Sequence, residues 1–171
     1  GYGFGFANGT DIFVTHFNAA GTALIGSTYV GGSGTDGVNT SELAYNYGDT
    51  FRGEVALDAA GNPVVITSTT SGDIPITPGA PQGSYGGGSM DAYVFRMDPG
   101  LTTMLWATYH GGSGADAGHG VQFNSAGDLY ITGGTNSTNM PVAGSPLQAA
   151  NAGGTDGFIA RYSANGTALL S

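Results

Sequence analysis

The chain has 171 residues, of which 33 are glycine and only 15 are charged: three arginines, twelve acids and no lysine. Typical soluble domains carry roughly 25% charged residues and about 7% glycine, so this chain has an unusual surface. The glycines follow no G-X-Y period, which excludes collagen, and a content of 40% hydrophobic and 11% aromatic residues supplies a core that disordered chains lack. A formal charge of −9 with only Arg52, Arg96 and Arg161 as scattered cations argues against nucleic acid and anionic membranes as partners. No apolar run approaches the roughly 18 to 20 residues of a membrane helix. With no cysteine, neither disulfides nor thiolate metal sites contribute, and the composition suits oxidising and reducing compartments alike. The absence of an initiator Met and the apolar Leu-Leu-Ser ending lead one to expect a piece of something longer.

In chain order, the first β-rich segment is predicted over residues 12–17. It is followed by Asn18-Ala-Ala-Gly21 and a second strand over 22–30. After a long loop, strands are predicted over 55–58 and 64–70 around Asp58-Ala-Ala-Gly61. Asn or Asp followed three positions later by Gly suits a type I turn closed by a glycine in the left-handed region. Asn124-Ser-Ala-Gly127 and Ser163-Ala-Asn-Gly166 are the same device, and Asp98-Pro-Gly-Leu101 is a variant of it. No segment holds a helical period for more than a turn, so the class is all-β.

The strands belong to repeats. Ser27-Thr-Tyr-Val-Gly-Gly-Ser-Gly-Thr-Asp36 recurs as Ala107-Thr-Tyr-His-Gly-Gly-Ser-Gly-Ala-Asp116. Val55-Ala-Leu-Asp-Ala-Ala-Gly-Asn recurs from Val121, and Asp11-Ile-Phe-Val recurs from Asp91 and again from Asp156. The spacing of the last two gives a unit of about 65 residues, and the first copy is longer by an insertion between Asp36 and Val55. Units divide as residues 10–90, 91–155 and a partial 156–171. Four-stranded antiparallel units at this spacing, each with two tight hairpins and two longer connections, predict β-propeller blades rather than a sandwich. A β-helix would repeat at about 20 residues without hairpins.

Together, Asp-x-Phe/Tyr-Val, Gly-Thr-Ala-Leu, Ser-Thr-Tyr-Val-Gly-Gly-Ser-Gly-x-Asp, Val-x-x-Asp-Ala-Ala-Gly-Asn and Ile74-Pro-Ile-Thr-Pro-Gly-Ala-Pro-Gln82 resemble the SBBP-type bacterial β-propeller repeat over nearly the whole chain after Thr10. The resemblance implies a seven-bladed type of propeller in large secreted or surface proteins. The segment Tyr47-Gly-Asp-x-Phe-Arg-Gly-Glu54 looks like versions found in Bacteroidetes proteins, many exported by type IX secretion. The family has no established shared catalytic residues to carry over. Seven such blades need about 450 residues, so this chain corresponds to roughly two and a half. Its end faces are expected to be covered by further blades of a larger protein or by a neighbouring chain.

Strand order places both long connections of a blade at the end opposite its tight hairpins, so the loops around residues 31–53, 71–90 and 138–155 should share one face, the best candidate for binding. The insertion concentrates Asn39, Tyr45, Asn46, Tyr47, Phe51 and Arg52. Aromatics with amides and one guanidinium suit a protein or glycan contact; the alternative is a loop that packs its own aromatics over the blade edge. Asp36 and Asp116 sit in oxygen-rich glycine loops that could contribute to a calcium site, but one carboxylate per loop falls short of six to eight oxygens, which favours hydrogen bonds to turn amides. No other cofactor is expected. His110, Asp116 and His119 have three potential zinc ligands, yet Val30 and Gly53 occupy the histidine positions in the first copy, so chance polar residues explain them better. His16, Arg96 and Arg161 are repeat-equivalent and read as structural, and Trp106, in place of Gly26, reads as packing. Sequons at Asn8, Asn39, Asn136 and Asn165 are expected by chance in so Asn- and Ser-rich a chain.

These readings converge on a non-enzymatic extracellular repeat module. It would act as a spacer or as an adhesion and protein-interaction platform on a bacterial surface. A glycan-binding module using residues 38–52 is the alternative, and a fragment of a propeller hydrolase or lyase comes third, because no acid, base or nucleophile constellation recurs.

Overall fold

The computed structural model describes residues 9–171 and is all-β, with nine strands in three antiparallel sheets, none of them closed. The first sheet pairs β1 (Ile12–Phe17) with β2 (Leu24–Val30). The second runs β3 (Glu54–Leu57), β4 (Pro63–Thr69), β5 (Asp91–Met97) and β6 (Met104–His110) in sequence order. The third contains β7 (Asp116–Phe123), β8 (Leu129–Thr135) and β9 (Asp156–Tyr162), and residues near the end of the chain begin to pair with β9 through Tyr162 and Leu169. The predicted strands over 22–30, 55–58 and 64–70 form with ends displaced by one or two residues, because Thr22, Ala23 and Asp58 are taken up by turns.

The hairpins form as their residues dictate. Gly21, Gly61, Gly127 and Gly166 all have φ between 68° and 86°, and each donates its amide back to the Asn, Asp or Ser that opens the turn. In the variant turn Leu101 takes the same role at φ 57°, the one positive φ at a non-glycine residue among the described residues. Side chains finish the turns: Asp58 Oδ1 accepts the amides of Ala60 and Asn62, each at 2.9 Å. The repeat extends to defects in pairing, since β1–β2 and β5–β6 slip register at equivalent places, between His16 and Phe17 and between Arg96 and Met97.

The sheets stack face to face. Tyr93, Phe95 and Met97 of β5 point one way and pack, with Tyr109, against Ile12 and Val30 of the first sheet. The opposite face, carrying Val64, Ile66, Val94 and Trp106, packs against Val121, Ile131, Ala160 and Tyr162 of the third. This is why β5 reads Asp-Ala-Tyr-Val-Phe-Arg-Met without polar alternation: its sheet is buried on both faces. The third sheet comes so close that a Cβ on Gly118 of β7 would lie 2.6 Å from both Ile66 Cγ1 and the Thr67 carbonyl oxygen. The second and third sheets each draw their strands from two neighbouring sequence repeats, with β3–β4 before Asp91 and β5–β6 after it, and β7–β8 before Asp156 and β9 from it.

Candidate functional site

The long connections gather at one end of the stack and are bonded to one another. Where each Gly-Gly-Ser-Gly-x-Asp loop leaves one sheet, its Asp is driven into the next. Asp36, fully buried, accepts from the Thr69 hydroxyl, from Ser71 Oγ at 2.9 Å and from the Gly32 amide at 2.8 Å. Asp116 repeats this with the Thr135 hydroxyl, Ser137 Oγ at 2.7 Å and the Gly112 amide at 2.6 Å. Around each carboxylate the loop amides are taken up in turn. Ser33 N donates to Asp73 and Gly34 N to Ser71, just as Ser113 N donates to Asn139 and Gly114 N to Ser137. Each latch joins the outer strand of one sheet to the β4-type strand of the next. Its second half, Thr-x-Ser-x-Asp/Asn at residues 69–73 and 135–139, escaped the motif reading. It lies on the same offset that relates Val55 to Val121 and was legible there.

The insertion is a tied loop. It contains one short 3-10 turn, Tyr47–Asp49, which the strand-only reading did not anticipate; Asn46 caps it by accepting the Gly48 amide at 2.8 Å. Asp49 Oδ2 accepts from Tyr45 N at 3.0 Å, Asn46 N at 3.1 Å and Asn46 Nδ2 at 2.8 Å, and Asp49 Oδ1 lies 3.4 Å from Arg52 Nη1. Burial alone would raise the Asp49 pKa; the two amides and the Arg52 charge outweigh it and hold the carboxyl below its usual range. Asn39 is buried, donating to the Asp49 carbonyl at 2.6 Å and accepting from Ser68 Oγ at 2.6 Å. Leu43 seats the loop among Met90, Ala115 and Ala117.

The candidate residues therefore divide. Asn46 spends its amide inside the loop and Asn39 ties the loop to Ser68 of β4, whereas Tyr45, Tyr47 and Phe51 are 71%, 96% and 72% exposed and Arg52 remains half open. Tyr45 donates its hydroxyl to Thr155 Oγ1 at 2.8 Å, which ties the insertion to the β8–β9 connection, and Ser89 donates to Glu42, which ties it to the β4–β5 connection. The three long loops thus share one face, with aromatic side chains projecting from a braced base.

Among the described residues, the remaining candidates do not gather into a cluster. His110 is buried with Nδ1 2.7 Å from the Tyr162 hydroxyl, and burial lowers its pKa to about 4, so the ring is neutral. His119 bulges from β7 toward Arg52 and Asp49, and burial followed by the Arg52 charge lowers its pKa. No group of three metal-ligating side chains occurs among the described residues. Ser71 and Ser137 donate directly to their aspartates, so neither is paired with a histidine as a hydrolase nucleophile would be. His16 Nδ1 sits 2.7 Å from the Pro99 carbonyl, and Arg96 reaches Asp58 at 3.3 Å. Of the sequons, Asn39 is buried, Asn136 Oδ1 accepts the Ala115 amide at 2.6 Å, Asn165 shapes a turn, and Asn8 lies outside the described residues.

No protein-family model matches the chain, and no curated protein matches it.

Proposed function

We propose that the chain is a run of consecutive β-propeller blades serving as a non-enzymatic interaction module of a larger, exported bacterial protein. In this reading β3–β6 is a whole blade, β7–β9 with residues 168–171 most of the next, and β1–β2 the outer half of the one before. The observation that carries it is the repeated latch: Asp36 and Asp116, at the same position of successive repeats, each make the same bonds from one sheet to the next. Identical joints between successive units propagate a stack, and stacked units bury their faces only against neighbours. The motif resemblance to SBBP repeats, and the export it implies, support the same reading.

The contact surface is the braced insertion. Exposed aromatic side chains on a rigid base bind at low entropic cost, because little is left to order on association. The assay is capture of bacterial surface proteins and of surface glycans, in separate arms, by the immobilised chain and by a Tyr47→Ala/Phe51→Ala variant with an unchanged thermal transition. Protein capture lost in the variant supports the reading. Glycan capture lost in the variant moves the function to glycan binding. Capture in neither arm, or capture unaffected by the substitutions, refutes it.

A further inference from the structure

A groove of about 880 Å³ lies between β1 and the β3–β4 hairpin, lined by Val14 on one wall and by Val55, Leu57 and Val65 on the other. The internal repeat says what fills such a space. In the second and third sheets, the strand equivalent to β1 carries a hairpin on the matching edge: β5 pairs with β4, and β9 with β8. Among the described residues β1 pairs only with β2, and the corresponding edge faces the groove.

Side-chain burial marks the same gap. Val121 and Ile131 of β7–β8 are buried, at 1% and 0% exposure, against Val64 and Ile66 of the preceding sheet. Their equivalents on β3–β4 are Val55 and Val65, yet Val55 is 59% exposed and its neighbour Leu57 64%. The first sheet supplies Val14 where the second supplies Val94, but it has no counterpart of Val64 or Ile66 among the described residues. Among the described residues, the first sheet thus lacks one strand bearing two β-branched side chains, together with its hairpin partner.

We infer that the β1 edge is a docking site for a β-hairpin of the repeat's own type, donated from outside residues 1–171. Its inner strand pairs antiparallel with Ile12–Phe17, and two alternate Val or Ile side chains fill the groove over Val55 and Leu57. Main-chain bonds supply the affinity of such strand addition, and the alternate side chains supply its selectivity. A second copy of the chain is a poor occupant, because both of its hairpins of this type are already paired within their own sheets. The inference rests on reading the sheets as consecutive blades, but it concerns the β1 edge and is independent of the insertion loop.

The probe is a cyclic peptide of residues 54–66, closed by a D-Pro-Gly turn joining Ile66 to Glu54, which pair across the hairpin. Cyclisation removes the cost of ordering an isolated hairpin. Titrated into the 171-residue chain and followed by hydrogen exchange, it should bind one to one and slow exchange in Ile12–Phe17. A Val55→Glu/Leu57→Glu variant, altered at exposed positions, should melt as the parent does and weaken binding at least tenfold. No binding, protection elsewhere, or binding indifferent to these substitutions overturns the inference, as does concentration-dependent self-association that protects β1. Capture through Tyr47 and Phe51 would survive such a failure, whereas loss of that capture leaves peptide binding unaffected.

Discussion

The joint between the second and third sheets can be tested through one pair of residues. Gly166, at φ 74°, lies flat on the Trp106 indole: a Cβ there would come within 2.4 Å of three ring atoms. At the equivalent joint one sheet earlier the sizes are exchanged. Gly26 stands in place of Trp106 and Leu101 in place of Gly166, with the Leu101 Cβ 3.3 Å from where a Gly26 Cβ would be. Gly166→Ala should cost about 1–2 kcal/mol for the left-handed backbone and about 1–3 kcal/mol for overpacking the indole. Trp106→Gly removes a ring that is 3% exposed and stacked edge-on to Tyr162 at 5.7 Å; it should cost at least the roughly 3–5 kcal/mol of a large-to-small core change. The double variant Trp106→Gly/Gly166→Leu recreates the earlier joint, so it should be more stable than the summed single changes by about 1–3 kcal/mol. Trp106 is the sole tryptophan, so unfolding is best followed by far-UV circular dichroism in guanidinium chloride, with about 2–4 °C of Tm expected per kcal/mol. A Gly166→Ala protein within about 0.5 kcal/mol of the parent, or costs that simply add, would refute the size exchange.

The latch makes a second prediction. Asp116→Ala strands the Thr135 and Ser137 hydroxyls and the Gly112 amide in the interior, at about 1–3 kcal/mol per stranded group; Ser137→Ala, which strands less, should lower stability less in the same denaturation series. A third concerns pH. Burial, reinforced by the nearby Asp116 charge and opposed by the Gly86 amide, raises the Asp91 pKa to about 7, so its contribution is full below the unfolded value near 4 and fades as pH rises toward 7. Burial lowers His110 to about 4, so its contribution is present above the unfolded value near 6.5 and fades as pH falls toward 4. The two slopes oppose each other. Asp91→Asn should leave a stability that rises between about pH 4 and 6.5, and thermal melts in which it stays flat would contradict the assignment.

Much of this architecture was legible in the residues because it is local. An Asn or Asp three positions before a Gly makes its turn from its own backbone and side-chain bonds, and the recurrence of whole segments exposes the unit whatever surrounds it. The latch was half legible. Asp36 and Asp116 stood out inside glycine loops, but their acceptor role depends on Thr69 and Ser71, or Thr135 and Ser137, which reach them only once strands distant in sequence pair, Asp36 beside Thr69 and Asp116 beside Thr135. The candidate loop divided for a similar reason. Asn39 and Tyr47 look alike as polar or aromatic loop residues, and only the fold buries one beneath Ser68 and Asp49 while leaving the other in solvent.

By itself the sequence determined the all-β class, the turn positions, the repeat period and the end of the stack where the loops collect, since these follow from short-range geometry and strand alternation. Tertiary structure decided how the strands are divided among sheets, which faces meet, that Trp106 answers a glycine in the next unit, and that among the described residues β1 pairs only with β2, beside an apolar groove. Those outcomes depend on contacts between residues far apart along the chain, and packing, unlike turn formation, is written in no single stretch of it.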